Sequence, residues 1–278
     1  MVKLVNNVKT AALLGGLMGL CMLCGHLMGG PVGVIIGFLI GGVMNFVAFF
    51  YSDKIALASM RAQQVTLQSH PRLLQMVQEL SSRANLPIPR VYVSPARAPN
   101  AFATGRSPKH SAVCVTEGLM AILDQDEMAG VIGHELAHIR NRDILISTVA
   151  ATIGSAISML GYMLIFLPIG GDRRGGNPLV LIAMFILAPI AATLIKLWIS
   201  RSREFVADAD GAAFAGDPHP LASALRKLEA HARQIPLPVS PSQENMFIVA
   251  PLTMKQGLAG LFRTHPPTED RIRALIGR

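Results

Sequence analysis

Three long stretches of this chain contain no Asp, Glu, Lys or Arg: Thr10 to Ser52, Ile144 to Gly171 and Gly175 to Ile195. A helix needs about 20 mostly apolar residues to cross the hydrocarbon of a bilayer. Inside that layer the segment must satisfy its own backbone hydrogen bonds, so helices are the natural form for such runs. The first stretch is long enough for two crossings, separated at Gly29-Gly30-Pro31, a sequence that turns the chain. Four spans are therefore expected, near 11–29, 31–51, 144–168 and 178–199. Composition agrees, with 51% hydrophobic and only 15% charged residues, where soluble chains carry about 25% charged. A cleaved signal peptide is the competing reading of the first span. The second apolar run follows it almost at once, which favours a retained hairpin.

Lys and Arg near the span ends set the orientation. Lys3, Lys9, Lys54, Arg61, Arg140, Arg142, Arg201 and Arg203 fall on one side, although Arg173 and Arg174 occupy the opposite turn. Both termini and the 53–143 segment are thus expected in the cytoplasm. Basic residues facing anionic headgroups account for the net charge of +8, with no nucleic acid required. Cys21 and Cys24 lie within an apolar span and read as small packing residues, and Cys114 falls in a strand.

Between the second and third spans, residues 55–83 read as helical, with Leu73, Leu74, Met76, Val77 and Leu80 at helical spacing. Strands are expected at Arg90–Ser94 and Ser111–Val115, then helices near 116–124 and 125–140, the second opened by the Asp124/Glu127 capping pair. Beyond the fourth span, helices are expected through about 214 and from Leu221 to about Arg233. The segment 235–252, with Pro236, Pro238, Pro241 and Pro251, reads as a loop and is an expected site of self-cleavage.

Chemistry enters at His134-Glu135-Leu136-Ala137-His138. Histidines at i and i+4 share a helix face, so both imidazoles can reach one zinc ion. Glu135 stands beside them as the base for a water that the metal acidifies. A catalytic zinc site requires a third protein ligand. Span three begins about five residues past His138, about 8 Å at helical rise, and the chain returns near Ser200 on the same side. Glu204 then stands at the right height to complete the site. Asp208, one turn on, is placed to accept from a ligand imidazole. Asp124, Asp126, Arg140, Arg142 and Asp143 flank the helix and would be costly at bilayer depth, so the site belongs at or beyond the headgroups.

The sequence resembles HtpX-type membrane zinc metalloproteases, of the gluzincin group that includes the CAAX-processing Ste24 enzymes. The resemblance rests on Asn100-Ala101-Phe102-Ala103-Thr104-Gly105, on Val131–His138 with Asn141-Arg142-Asp143, on Ser202–Asp208, and on Thr264-His265-Pro266-Pro267-Thr268-Glu269-Asp270-Arg271-Ile272. The resemblance implies that Asn100, Ala101, Phe102 and Ala103 form an edge strand that binds extended substrate. It implies that His265 reaches the active site, to stabilise an oxyanion or to occupy the metal's open position. It further implies a bacterial inner-membrane enzyme that cuts unfolded or misfolded membrane proteins in quality control and stress response. Specific processing of a prenylated or signal-peptide tail, or a non-catalytic zinc protein, are the other readings. The expected fold is a mainly α integral membrane protein. It comprises a transmembrane hairpin (1–52), the first part of an α+β zincin-like cytoplasmic domain with a small sheet (53–143), a second hairpin (144–200) and the rest of the domain (201–278).

Overall fold

The computed structural model describes residues 2–145, 149, 201–234 and 266–277. Most of the third expected span, all of the fourth, the 235–252 loop and His265 lie outside the described residues.

Helix α1 (Val2–Phe50) is two arms joined at Gly29 (φ −146°, ψ 19°) and Gly30 (φ 56°, ψ −139°). Gly30 takes a left-handed conformation open to a residue without Cβ. Pro31 then starts the second arm, where its missing N–H is no loss. The hairpin expected at Gly29-Gly30-Pro31 is thus present. Gly25 faces Gly33, and Gly37 faces Cys21, so closely that a Cβ on any of the three glycines would overlap the opposing backbone. Such close approach through small residues is how helices pack in membranes. Asn45 Nδ2 also donates to the Leu14 carbonyl across the arms at 2.9 Å. The arm Gly29–Phe50 has 22 residues and mean hydropathy 2.3, and it alone among the described helices is long and apolar enough to cross a membrane. The apolar part of the first arm, Thr10–His26, is shorter. Leu13, Leu17 and Cys21 pack with Val149, so the start of the third expected span meets this hairpin.

The expected helix over 55–83 is in fact two. Helix α2 (Ser52–Ser59) ends before Arg61 (φ 49°), and strand β1 (Gln63–Gln64) precedes helix α3 (Pro71–Arg83). The cause is local. Thr66 and Ser69 exchange side-chain and backbone hydrogen bonds that compete with helix formation. Pro71 then excludes helical geometry from His70 while suiting the first turn of α3.

Strands β2 (Arg90–Ser94), β3 (Ala101–Gly105) and β4 (Ser111–Thr116) complete a sheet of order β1-β2-β4-β3. β2 runs parallel to β4, while β1 and β3 pair antiparallel at the two edges. All six residues of β4 are buried, because α2 covers one face and α3 with the later helix Gln125–Asn141 covers the other, as expected of an apolar run such as Ala112-Val113-Cys114-Val115. β3 is therefore an edge strand, with no further strand beyond it among the described residues.

Thr116 caps helix α4 (Glu117–Ile122). Helix α5 (Gln125–Asn141) opens on the expected capping box, with Glu127 N–H donating to Asp124 Oδ1 at 2.9 Å and Asp124 N–H to Glu127 Oε2 at 3.0 Å. Helices α6 (Arg201–Ala215), α7 (Pro218–Gln234) and α8 (Thr268–Ile276) follow. Glu127 also accepts from Ser223 at 2.7 Å and Lys227 at 2.6 Å, tying α5 to α7. The decisive contact is between α5 and α6, which cross at Gly133 and Gly211. A Cβ on Gly211 would stand 2.5 Å from the His134 backbone nitrogen, and one on Gly133 2.6 Å from the Gly211 carbonyl. Both neighbours are backbone and neither can yield. Gly211→Ala is therefore expected to force the helices apart, with a loss of about 1–3 kcal/mol. Thermal unfolding and metal content of the purified protein check this together, and both should fall.

Candidate metal and catalytic centre

Helix α5 presents His134 and His138 one turn apart, and α6 presents Glu204 and Asp208 with the same spacing. The glycine crossing sets these two pairs against each other. His134 Nε2 lies 3.1 Å from His138 Nε2 and 3.8 Å from Glu204 Oε2, and His138 Nε2 lies 3.6 Å from Glu204 Oε1. All three donor atoms fall within 4.8 Å of one another. Ligands about 2.0–2.2 Å from a tetrahedral ion have separations of this size. These are the three ligands expected from the sequence, and they are brought together.

The other imidazole nitrogens face carboxylates. His134 Nδ1 lies 2.9 Å from Asp208 Oδ1, and His138 Nδ1 lies 3.5 Å from Asp143 Oδ2. Each carboxylate is placed to accept from an Nδ1 proton, the tautomer in which Nε2 keeps its lone pair for a metal. Asp208 was expected in this role, whereas no role was read for Asp143. The local fold supplies it. Arg142 adopts the left-handed conformation (φ 59°) that ends α5, and the chain turns so that Asp143 N–H donates to the His138 carbonyl at 3.0 Å. Its carboxylate then sits under the second histidine.

Arg271, on α8, is the other functional residue whose role the sequence did not disclose. Its Nε and Nη2 donate to the two oxygens of Asp208 at 2.8 and 2.6 Å. Nη1 lies 3.7 Å from Glu204 Oε2. The side chain is only 1% exposed. On sequence alone a charged residue in a terminal helix reads as solvated. The sole signal was its place in the Thr264–Ile272 motif.

Glu135 is buried beside the cluster, and its Oε2 accepts from the Ala103 backbone N–H at 2.7 Å. In the β3–β4 ladder, Asn100, Phe102 and Thr104 stand opposite Thr116, Cys114 and Ala112, and Thr116 N–H donates to the Asn100 carbonyl. The alternation of an antiparallel pair leaves the backbone groups of Ala101, Ala103 and Gly105 directed to the open edge. Ala101, Phe102 and Ala103 lie in this edge strand, Asn100 directly precedes it, and Ala103 is in contact with Glu135. His265, the remaining expected site residue, lies outside the described residues.

Electrostatics suit a divalent cation. Around the described centre stand the carboxylates of Glu135, Asp143, Glu204 and Asp208, against the guanidinium groups of Arg203 and Arg271. The acidic side chains outnumber the guanidinium groups by two, four against two, a balance that suits a divalent cation. Burial lifts Glu135 to about 7, near the value useful for a group that takes and returns a proton at neutral pH. Burial also pulls the His134 imidazole down, against the opposing pull of Asp208. For His138 burial acts downward as well, but the hydrogen bond to Asp143 and the charges of Glu204 and Glu135 outweigh it and lift the ring to about 9. A metal ion must displace that proton to bind. Asp208 would be raised by burial, but Arg271 and His134 hold it down at about 2.

Asp208→Asn keeps the shape and removes the charge that orients His134. It is expected to weaken metal affinity by about 10–100-fold, read by competition with a chelator of known affinity. Arg271→Leu leaves Asp208 charged and buried without its partner, and is expected to cost about 3–5 kcal/mol of stability, read by chemical unfolding.

Comparison with known proteins places this geometry. The model of peptidase family M48 matches residues 67–278. A protease HtpX homolog of Sulfurihydrogenibium sp. is 50% identical over 284 residues, covering 98% of this chain and 96% of its own. Another, from Trichormus variabilis, is 51% identical over 278 residues, with the same coverage of both chains. The crystal structure of S. mikatae Ste24p shares the fold with a TM-score of 0.53 at 17% identity, over 99% of this chain and 66% of that one. The chain thus spans just under two thirds of the Ste24p structure. The HtpX resemblance read from the sequence holds over nearly the full length, and with the His134-His138-Glu204 cluster beside Glu135 it leads to one conclusion: the chain belongs to peptidase family M48 and is a metalloprotease.

Proposed function

We propose that this chain is a membrane-embedded zinc endopeptidase that cuts unfolded or misfolded membrane proteins on the cytoplasmic side, as a device of quality control and stress response. One observation carries the reading. Glu135 touches the open edge strand through Ala103 N–H at 2.7 Å while standing next to the metal-binding cluster. Base, metal site and a place for extended polypeptide therefore meet at one point.

His134, His138 and Glu204 are the proposed zinc ligands, with two nitrogens and one oxygen as donors, the set of many catalytic zinc sites. Zinc bound there supplies Lewis acidity, polarising a carbonyl and acidifying a water molecule. Glu135 takes the proton of the attacking water and delivers it to the leaving amine. The outward backbone groups of Ala101 and Gly105 and the Ala103 carbonyl hold substrate as an added strand, the Ala103 N–H being taken by Glu135; this mode demands little of the substrate's side chains and so suits unfolded protein. Asp208 and Asp143 keep the two imidazoles in register, and Arg271 keeps Asp208 charged. His265 is assigned to the oxyanion of the tetrahedral intermediate, or to the metal's open position between turnovers.

The topology supports the same reading. Gly29–Phe50 is a candidate span, and the uncharged runs at 144–168 and 178–199 would complete a set of four with the first arm of the hairpin. The basic residues at the span ends support a topology with both termini and the active site in the cytoplasm of a bacterial cell. Substrates on this account include the protein's own 235–252 segment.

The experiment is zinc-dependent cleavage of an unfolded model polypeptide by detergent-purified protein, beside a Glu135→Gln variant. Hydrolysis should require zinc and fall at least about 10²–10⁴-fold in the variant, with zinc content unchanged. Equal activity in the variant would remove Glu135 from the chemistry.

A further inference from the structure

The open edge of β3 ends beside the candidate span. Phe46, Phe49, Phe50 and Tyr51 gather at the end of Gly29–Phe50, with ring centroids 4.7 to 6.2 Å apart in the contacting pairs. The Lys54 ammonium stands 5.0 Å from the centre of the Tyr51 ring. Aromatic rings followed by a basic residue mark the headgroup level of a membrane helix. Arg106, the residue directly after β3, sets its guanidinium 5.3 Å from the centre of Phe50. Gly105 makes this possible: its φ is 129°, and a Cβ there would overlap the His110 carbonyl, so the turn is closed to other residues. Independently, α2 leaves the span at Ser52 and buries Ala56 and Leu57 against Phe102, Ala112 and Cys114 of the sheet. The active strand is therefore fixed to the end of the span twice, by its loop and by its face.

Ala103, whose amide meets Glu135, precedes Arg106 by three residues. At about 3.3 Å per strand residue the general base lies within about 10 Å, along the strand, of the residue that rests on the span.

We propose that distance from the bilayer is a selection rule of this peptidase. It cuts extended segments of membrane-anchored polypeptides within about 10 Å, or about three extended residues, of headgroup level, in preference to the same segments free in solution, and the Arg106–Phe50 contact, together with the packing of α2 on the sheet, holds β3 there for this purpose. The inference rests on the reading that Gly29–Phe50 crosses a bilayer, and it names the substrate class of the proposed function. An anchored segment shares the two-dimensional layer in which β3 is held, so its encounter with the strand gains effective concentration that a soluble chain lacks.

The test uses the full-length protein reconstituted in liposomes with a single-span substrate whose unfolded tail carries identical cuttable repeats. The same tail without the span is supplied to a parallel sample, and products are mapped by mass spectrometry. Cuts in the repeat nearest the membrane should exceed those in distal repeats about ten-fold, and the free tail should be cut about ten-fold more slowly. Arg106→Glu should spread the cuts outward while leaving hydrolysis of the free tail unchanged. Even cutting along the anchored tail, with the free tail equally good, overturns the selection rule and leaves the peptidase reading standing. An Arg106→Glu variant that slows both substrates alike assigns the loop to folding and overturns its anchoring role. No cleavage of either substrate overturns the peptidase reading, and this inference with it.

Discussion

The carboxylate of Asp208 accepts from Arg271 through both its oxygens and lies 2.9 Å from His134 Nδ1, with all three side chains almost wholly out of water. Taking these charges from water costs several kcal/mol for each ion before any contact offsets it. The arrangement is stable only if each partner is in place, so three helices that share little sequence context must arrive together. α5 brings the imidazole, α6 the acid and α8 the guanidinium. A metal site formed under such constraint is rigid, since Asp208 fixes the tautomer and plane of His134 while Arg271 fixes Asp208.

What makes this meeting possible is the absence of side chains elsewhere. Gly133 and Gly211 allow α5 and α6 to cross with backbone against backbone, which brings Glu204 within 3.8 Å of His134. A similar device joins the arms of the N-terminal hairpin at Gly25, Gly33 and Gly37. In both places the missing side chains let helix backbones pack in direct contact, the kind of approach by which helices also associate in membranes. The sheet connects the two regions, with its buried central strand β4 between α2 on one face and the catalytic helix on the other.

The reactive residues were legible in the sequence because their spacing is a local property. His134, Glu135 and His138 lie on one helix, and Glu204 and Asp208 repeat the same one-turn interval. The capping pair Asp124 and Glu127 was legible for the same reason. Arg271 and Asp143 were not, because their roles depend on where a separate helix docks and on a left-handed residue, Arg142, that turns the chain back. The break between α2 and α3 was missed because the helical spacing of Leu73, Leu74, Met76, Val77 and Leu80 was carried back across Thr66–Ser69 and Pro71. Hydroxyl competition for the backbone leaves no trace in a hydrophobic pattern. The glycine crossing was equally hidden, since a glycine within a helix reads only as a weak position until its neighbour is known.

Zinc K-edge X-ray absorption on the purified protein tests the central claim most directly. The account predicts one zinc per chain, two imidazole nitrogens with further nitrogen or oxygen neighbours at about 2.0–2.2 Å, and loss of an oxygen neighbour in Glu204→Ala. Sulfur neighbours at about 2.3 Å, or a first shell untouched by Glu204→Ala, would place the metal elsewhere and contradict it.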